Sequence, residues 1–293
     1  MILIIKFIVV VVALTVLASI IFSFRKSEGS LVKVSNKLRL AISGFIACIA
    51  DTLGIGSFAV FIAFDKHWAL IDDKKLPGTL NGFSVMAAMV QSLFFLKFIE
   101  IDVMTLVVLV VTSCAGGFFS GLIVTKLNKQ TLRLVMVVGF SGIAMLVLSN
   151  QLNLLPIGGN AIALHGKMLF IGAIAMFFVG MLPAIGVGIY APTQVVLFFL
   201  GLSPLVAFPI MTTVGVLVQS LTALTFVTKK EIALGETLFL VVPGIIGVLI
   251  SAPFVAYSNP IALHWMLFAI IIYNVVMTFK TYQQEKTLPT KSS

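Results

Sequence analysis

Long apolar runs separated by short polar stretches dominate this chain. The runs occupy approximately residues 7–24, 40–64, 78–99, 103–125, 132–150, 167–202, 204–228, 236–257 and 261–279. About 20 apolar residues in a helix cross the hydrocarbon core of a bilayer, so runs of this length predict membrane-spanning helices. The pattern therefore predicts an all-α polytopic membrane protein.

Two of the runs are interrupted near their middle. Asp51 to Ser57 interrupts 40–64 with two glycines, and Pro183 to Gly188 interrupts 167–202 with a proline and two glycines. Glycine and proline are the residues that weaken a helix most. Each of these runs is therefore predicted to form two half-helices, arranged as a broken or re-entrant hairpin.

The composition excludes a soluble enzyme. Of 293 residues, 60% are hydrophobic and only 10% are charged, with a mean hydropathy of +1.19. Soluble domains carry roughly a quarter charged residues. The chain has 19 Lys and Arg against 10 Asp and Glu. The basic residues lie in short loops, where they orient a membrane protein, so their excess does not indicate nucleic acid as a partner.

The positive loops predict the topology. Arg25 and Lys26 follow the first run, which favours a retained first helix with the N-terminus outside. If 40–64 returns to its own side, Lys126 and Arg133 fall in the cytoplasm, and if 167–202 does the same, Lys230 and the C-terminus do too. The expected location is a bacterial inner membrane.

The two halves of the chain match each other in order. Gly54-Ile-Gly-Ser-Phe-Ala59 matches Gly186-Val-Gly-Ile-Tyr-Ala191, and Val90-Gln-Ser-Leu93 matches Val218-Gln-Ser-Leu221. Gly116 and Ser120 match Gly247 and Ser251. These matches predict an inverted repeat, each copy a broken hairpin plus three transmembrane helices, with an extra N-terminal transmembrane helix. Inverted repeats with broken helices are typical of secondary transporters.

This organisation divides the chain into five parts. They are an N-terminal transmembrane helix and basic loop (1–39), repeat 1 (40–150), a linker (151–166), repeat 2 (167–280) and a cytoplasmic tail (281–293).

The motifs resemble the TauE/SafE family of sulfite exporters, also called toluene sulfonate uptake permeases. The resemblance rests on Gly44 to Ala59, on Gly186 to Thr193 and on Met211-Thr212-Thr213, and it extends over about residues 40 to 279. Many relatives carry three or four glycines in each hairpin, where this chain has Gly-x-Gly. The resemblance implies transport of sulfite, organosulfonates or related small sulfur-containing anions, and of small organic acids in some members.

The broken segments are the predicted substrate site. Half-helix N-termini offer backbone N–H groups to an anion, and nearby hydroxyls and amides add donors. The candidate substrate-binding residues are Gly54, Gly56, Ser57, Ser84, Gln91, Gly186, Gly188, Tyr190, Thr193, Thr212, Thr213 and Gln219. For the glycines the alternative is close helix packing, and for the glutamines it is interhelical hydrogen bonding.

Asp51 has two interpretations. A carboxyl group inside an apolar segment is a candidate proton carrier for coupled transport. The alternative is the N-cap of a half-helix beginning at Thr52, because Asp is among the preferred cap residues and an ionised Asp would repel a substrate anion. The residues leave both open.

The sequence favours a secondary transporter of small anions, with a passive channel or a carboxylate transporter as alternatives. Gly54-Ile-Gly-Ser57 resembles the site of an intramembrane serine protease. An intramembrane enzyme is nevertheless less favoured, because no histidine lies at the centre of an apolar run. No nucleotide-binding motif or metal-ligand spacing occurs, so neither cofactor nor metal is expected. The expected partners are a small anion and the bilayer; a homo-oligomer is left open.

Overall fold

The computed structural model describes residues 1–27, 34–154, 159–257 and 260–287. This part of the chain forms eleven α-helices and two short 3₁₀ segments. The helices are α1 (Ile2–Lys26), α2 (Val34–Thr52), α3 (Ser57–Trp68), α4 (Leu76–Phe98), α5 (Val103–Val124), α6 (Lys129–Gln151), α7 (Gly166–Met181), α8 (Tyr190–Phe199), α9 (Pro204–Thr228), α10 (Leu234–Ser251) and α11 (Pro260–Thr287). The prediction of a helical protein is confirmed.

Seven helical segments among the described residues are long and apolar enough to cross a membrane. They comprise α1, α4, α5, α6, α9, α10 and the continuous stretch Gly166–Ile185, which contains α7. The chain is therefore a multi-pass membrane protein. The predicted tail overlaps α11, which continues to Thr287, while 288–293 and part of the predicted linker, 155–158, lie outside the described residues.

Helices α4 and α9 form the centre of the bundle. In the most apolar window of each, 78% and 83% of the residues are buried, against 22% for α1. The two helices pack on each other, and a hydrogen bond of 2.9 Å joins Ser92 Oγ to Thr213 Oγ1 between them. Around this pair α2 packs on α10, α7 on α5, and α6 on α11. Helix α1 lies at the periphery.

One end of the bundle collects most of the loops that carry cations. The last turn of α1, the α3–α4 loop and the α9–α10 loop line a common cavity there. Lys74 forms a salt bridge of 2.7 Å with Glu231 between the two loops. Helix α2 runs beside α10 in the same direction, because Gly44 lies against Leu240 and Gly247 against Phe45 and Ile49. Helix α2 therefore begins, and α3 ends, at this end of the bundle.

The opposite end holds the start of α7 and the end of α8. The Leu164 N–H donates to Thr105 Oγ1 at the start of α5, over 2.9 Å. The segment before α7 also pairs with the residues that follow α8. The Gly159 N–H donates to the Leu202 carbonyl, and the Ser203 N–H donates to the Ala161 carbonyl. These hydrogen bonds hold the segment before α7 and the α8–α9 connection together at the end of the bundle where α5 begins.

The long arms of the broken helices differ from the prediction. The residues of 40–50 alone would reach about 16 Å, but α2 has 19 residues and α7 has 16. At 1.5 Å per residue these helices measure roughly 28 and 24 Å. The difference arises because α2 continues through the polar residues Asn36, Lys37 and Arg39, which hydropathy alone excludes from a span.

Candidate functional site

The two helix breaks meet at a small cavity in the protein interior. Helix α2 ends at Thr52 and α3 begins at Ser57; after α7 a 3₁₀ turn runs from Leu182 to Ile185, and α8 begins at Tyr190. Residues of both breaks line a cavity of about 20 Å³, which is room for one water molecule. Its walls are Ile55, Gly56, Ala59, Phe140, Ile143, Val187, Gly188, Tyr190, Ala191 and Ile271. Both short helices thus start from the same place.

Glycines make the breaks possible. Gly54 and Gly56 have φ angles of +91° and +95°, and Gly186 has a φ of +78°. Residues with a Cβ rarely adopt these angles, so the backbone turns out of the helix where glycine permits it. Both predicted interruptions are confirmed as breaks in the helices.

Asp51 is the centre of a buried hydrogen-bond network. Its side chain, at 2% exposure, lies in the last turn of α2 and reaches across the break. The Ser57 N–H donates to Asp51 Oδ1 over 2.5 Å, and Gln91 Nε2 donates to Oδ2 over 3.1 Å. The salt bridges among the described residues do not involve Asp51. A buried carboxylate is therefore held by neutral donors alone.

Gln91 and Tyr190 extend the network from the first half of the chain to the second. The Tyr190 hydroxyl donates to Gln91 Oε1 over 2.6 Å, and Gln91 Nε2 also lies 3.1 Å from Thr52 Oγ1. Gln91 itself is fully buried on α4. The network therefore fastens the first break, a central helix and the start of α8 together.

Ser57 and Ser84 continue the polar chain on the other side of Asp51. Their hydroxyl oxygens lie 3.4 Å apart, and both side chains are buried. The structure thus brings together five predicted polar site residues: Asp51, Ser57, Ser84, Gln91 and Tyr190.

The remaining polar site residues predicted in the second half, Thr193, Thr212, Thr213 and Gln219, are buried but not joined to this network by hydrogen bonds. Thr213 pairs with Ser92, and Thr212 Oγ1 donates to the Phe208 carbonyl of its own helix over 2.8 Å. Thr193 Oγ1 and Gln219 Oε1 have no hydrogen-bond partner among the described residues. Buried polar atoms without partners are uncommon and indicate a place for a further polar group.

Asp51 caps the start of a helix, as one of its two interpretations predicts, but the helix is not the predicted one. No half-helix begins at Thr52, which is the last residue of α2. Asp51 instead accepts the first N–H of α3 from six residues away, while Gly56 is the N-cap residue. A carboxylate thus already occupies the N-terminus of α3, where an anion is favoured.

Two asparagines near the breaks donate to backbone carbonyls of distant segments. Asn81 Nδ2 donates to the Pro183 carbonyl over 2.8 Å, and Asn274 Nδ2 donates to the Ala59 carbonyl over 2.8 Å. Each amide satisfies backbone near a break from a distant helix. Their signal in the sequence is an amide inside or at the edge of an apolar run.

A cluster of charges stands at the end of α3. Asp73 pairs with Lys66 over 2.7 Å and with the guanidinium of Arg133, and all three side chains are largely buried. Burial raises the pKa of Asp73, but the charges and hydrogen bonds of Lys66 and Arg133 outweigh it, so the pKa is lowered from its ordinary value. These pairs join the α3–α4 loop to the start of α6.

The described residues contain no group of three or more His, Cys, Asp or Glu side chains placed to hold a metal ion. Comparison of the chain with protein-family models, with curated proteins and with solved structures finds no match in any of the three.

Proposed function

We propose that this protein is a secondary membrane transporter of small anions whose substrate passes between the two helix breaks. The observation that carries the proposal is the convergence of both breaks, with the N-termini of α3 and α8, on one interior cavity. Paired broken helices with N-termini at a shared site are how many transporters bind anionic groups inside a membrane. A space of only about 20 Å³ between the breaks is too small for an open anion pore, which favours a carrier over a channel.

The repeated contacts between helices support an inverted repeat. An added Cβ at Gly247 would meet the Phe45 carbonyl oxygen on α2, and one at Gly116 would meet the Phe177 carbonyl oxygen on α7. Gly116 matches Gly247 in the internal alignment, and Phe177 lies at the position that matches Phe45. The same close approach therefore occurs twice, each time between the hairpin of one half and a helix of the other half, with the hairpins entering from opposite ends.

The second hairpin is the better place for a substrate anion. The first N–H of α3 is already bonded to Asp51, whereas the N-cap residue of α8, Ile189, has no polar side chain. The hydroxyl of Thr193, in the first turn of α8, has no partner among the described residues. Helix dipole and unpaired donor together favour an anion at α8.

The proposed substrates are sulfite, organosulfonates and related sulfur-containing anions, on the resemblance to TauE/SafE exporters. The sequence segments of that resemblance, Gly44 to Ala59 and Gly186 to Thr193, are those that form the two breaks. Small carboxylates are the alternative within the same mechanism. The proposed role is transport without catalysis.

We propose Asp51 as the proton-coupling residue. An ionised carboxylate close to the path would repel an anion, and binding a proton removes that repulsion. Transport into proteoliposomes at several pH values tests this: Asp51→Asn is expected to flatten the pH dependence. Transport by Asp51→Asn with an unchanged pH profile would restrict Asp51 to its capping bond.

The substrate class is tested by thermal stability of the purified protein against sulfite, sulfate, thiosulfate, taurine, sulfoacetate, acetate and chloride. A ligand at 100 times its Kd adds about 2.7 kcal/mol to the free energy of unfolding. Selective stabilisation by a sulfur anion is expected. Equal effects of all anions, chloride included, would count against the substrate assignment.

A matched pair of glycine variants locates the binding. A Cβ at Gly188 meets only Phe58 Cβ at 3.7 Å, and one at Gly215 meets only Ala88 Cβ at 3.8 Å. Both alanine variants should fold, but only Gly188 lies in the wall of the cavity. Gly188→Ala is expected to abolish the ligand-induced stabilisation and Gly215→Ala to retain it; the same response from both would refute the proposed site.

A further inference from the structure

A second, larger cavity lies where α1 ends. It has a volume of about 760 Å³ and is lined by the last turn of α1, the α3–α4 loop and the α9–α10 loop. Pockets for small organic ligands have volumes of about 300–1,000 Å³. Since α1 is peripheral and strongly apolar up to its last turn, this cavity lies at the level where lipid headgroups meet the protein.

Three lysines from three different elements converge on the cavity. Lys26 ends α1, Lys75 precedes α4 and Lys230 follows α9, and all three are exposed. The salt bridges among the described residues use other lysines, Lys66 and Lys74. The three ammonium groups are therefore available to a ligand.

Two carboxylates share the wall with these lysines. Asp72 accepts the Lys74 N–H over 2.9 Å, and Glu236 lies in the first turn of α10. Three cations against two anions leave one positive charge in excess. This excess is complementary to a ligand with one net negative charge.

Much of the rest of the wall is apolar, alongside the hydroxyl residues Ser23, Ser27 and Thr228. The apolar part of the wall includes Phe22, which is 68% exposed, together with Leu70, Ile71 and Leu234. A small free anion would leave these apolar side chains uncovered, whereas the glycerol backbone and first methylenes of a lipid would cover them. Apolar and basic groups side by side at a membrane interface are typical of lipid recognition.

We propose that this cavity binds the phosphate headgroup of one anionic glycerophospholipid, held by Lys26, Lys75 and Lys230 with its acyl chains along α1. The bound lipid bridges the peripheral helix α1 to the loops of the central helices α4 and α9. This proposal is independent of the transported substrate.

Native mass spectrometry of the detergent-purified full chain tests it with phosphatidylglycerol as the probe. One bound phosphatidylglycerol per chain is expected, in preference to phosphatidylethanolamine. Lysines near anionic lipid contribute roughly fivefold each to affinity, so Lys26→Gln/Lys75→Gln/Lys230→Gln should weaken binding on the order of 100-fold.

The matched control removes three exposed lysines that lie outside the cavity wall. Lys37→Gln/Lys126→Gln/Lys229→Gln makes the same change in net charge and is expected to change the affinity less than threefold. Equal weakening by both triple variants would overturn the proposal in favour of general surface charge. Equal binding of phosphatidylethanolamine would overturn the anionic headgroup.

Two further measurements keep the test decisive if the triple variant folds poorly. Glu236→Gln removes a carboxylate from the wall and should tighten phosphatidylglycerol binding; weaker binding would overturn the proposal. Free sn-glycerol 3-phosphate should not raise the melting temperature, and stabilisation by it equal to that by the lipid would identify a soluble phosphate site instead.

Discussion

Helices α5 and α7 approach so closely at Gly116 that a single added methyl group should separate them. A Cβ built on Gly116 overlaps the Phe177 carbonyl oxygen, and Gly247 makes the milder equivalent contact on α2, 2.6 Å from the Phe45 carbonyl oxygen. Both obstacles are backbone atoms, which cannot rotate away as a side chain does. Gly116→Ala is therefore expected to push α7, the long arm of the second hairpin, off α5.

The magnitude follows from the distances. At Gly247 the new methyl carbon falls roughly 0.8 Å short of an ordinary contact of about 3.4 Å, and at Gly116 the overlap is larger. Overpacking typically costs about 1–3 kcal/mol, while alanine in place of a helical glycine returns up to about 1 kcal/mol. Gly142→Ala on α6 receives the second effect alone, because nothing lies within 4 Å of its Cβ. Both variants gain the second effect, so Gly116→Ala should be less stable than Gly142→Ala by the overpacking cost alone, about 1–3 kcal/mol.

The assay is the melting temperature of each purified variant in one detergent. One kcal/mol shifts the melting temperature of a protein of this size by roughly 2 °C, so a gap of about 2–6 °C between Gly116→Ala and Gly142→Ala is expected. Gly247→Ala should fall between them. If Gly116→Ala melts no lower than Gly142→Ala, the close approach of α5 and α7 is not as described.

Two further outcomes follow from buried polar groups. Tyr190→Phe leaves Gln91 Oε1 without its donor and should destabilise the protein by about 1–3 kcal/mol in a thermal assay; an unchanged melting temperature would refute the bond. Asp73→Asn removes the carboxylate that pairs with Lys66 and Arg133 and should lose about 3 kcal/mol at neutral pH. Because the pKa of Asp73 is lowered in the fold, its contribution is full above the ordinary aspartate pKa and disappears as the pH falls through the lowered pKa. Melting temperatures of parent and Asp73→Asn should therefore converge in acid, and a constant difference down to pH 2 would contradict this.

Local chemistry made the helices and their breaks predictable. Glycine at positions 54, 56 and 186 adopts the positive φ angles at which the long arms end. Because glycine has no Cβ, it adopts such angles in any context, and the sequence alone therefore indicates the breaks. The length of the apolar runs likewise made the membrane-spanning helices predictable from the sequence. The start of α2 was not predictable from hydropathy, because Lys37 and Arg39 are helical outside any apolar run.

The partners of the polar residues required the tertiary structure. The sequence identifies Gln91 and Tyr190 as polar groups in an apolar setting, but they are 99 positions apart and nothing local shows that one donates to the other. The same holds for Asn81 and the Pro183 carbonyl. Substrate contact by Thr193 and Gln219 stays a prediction, now with the added observation that both carry an unpartnered buried atom.

The carboxylate of Asp51 belongs to one half of the molecule only. At the position that matches Asp51 in the internal alignment the second half has Pro183, which has no side-chain acceptor and no N–H to donate. Two identical halves exchanging roles would give inward-open and outward-open states of equal free energy. In the carrier proposed above, a buried acid in one half alone would make those states unequal, and the empty protein would favour one of them. Ion and substrate gradients would still set the direction of net flux, while Asp51 would contribute to the choice of the compartment that the unloaded carrier faces.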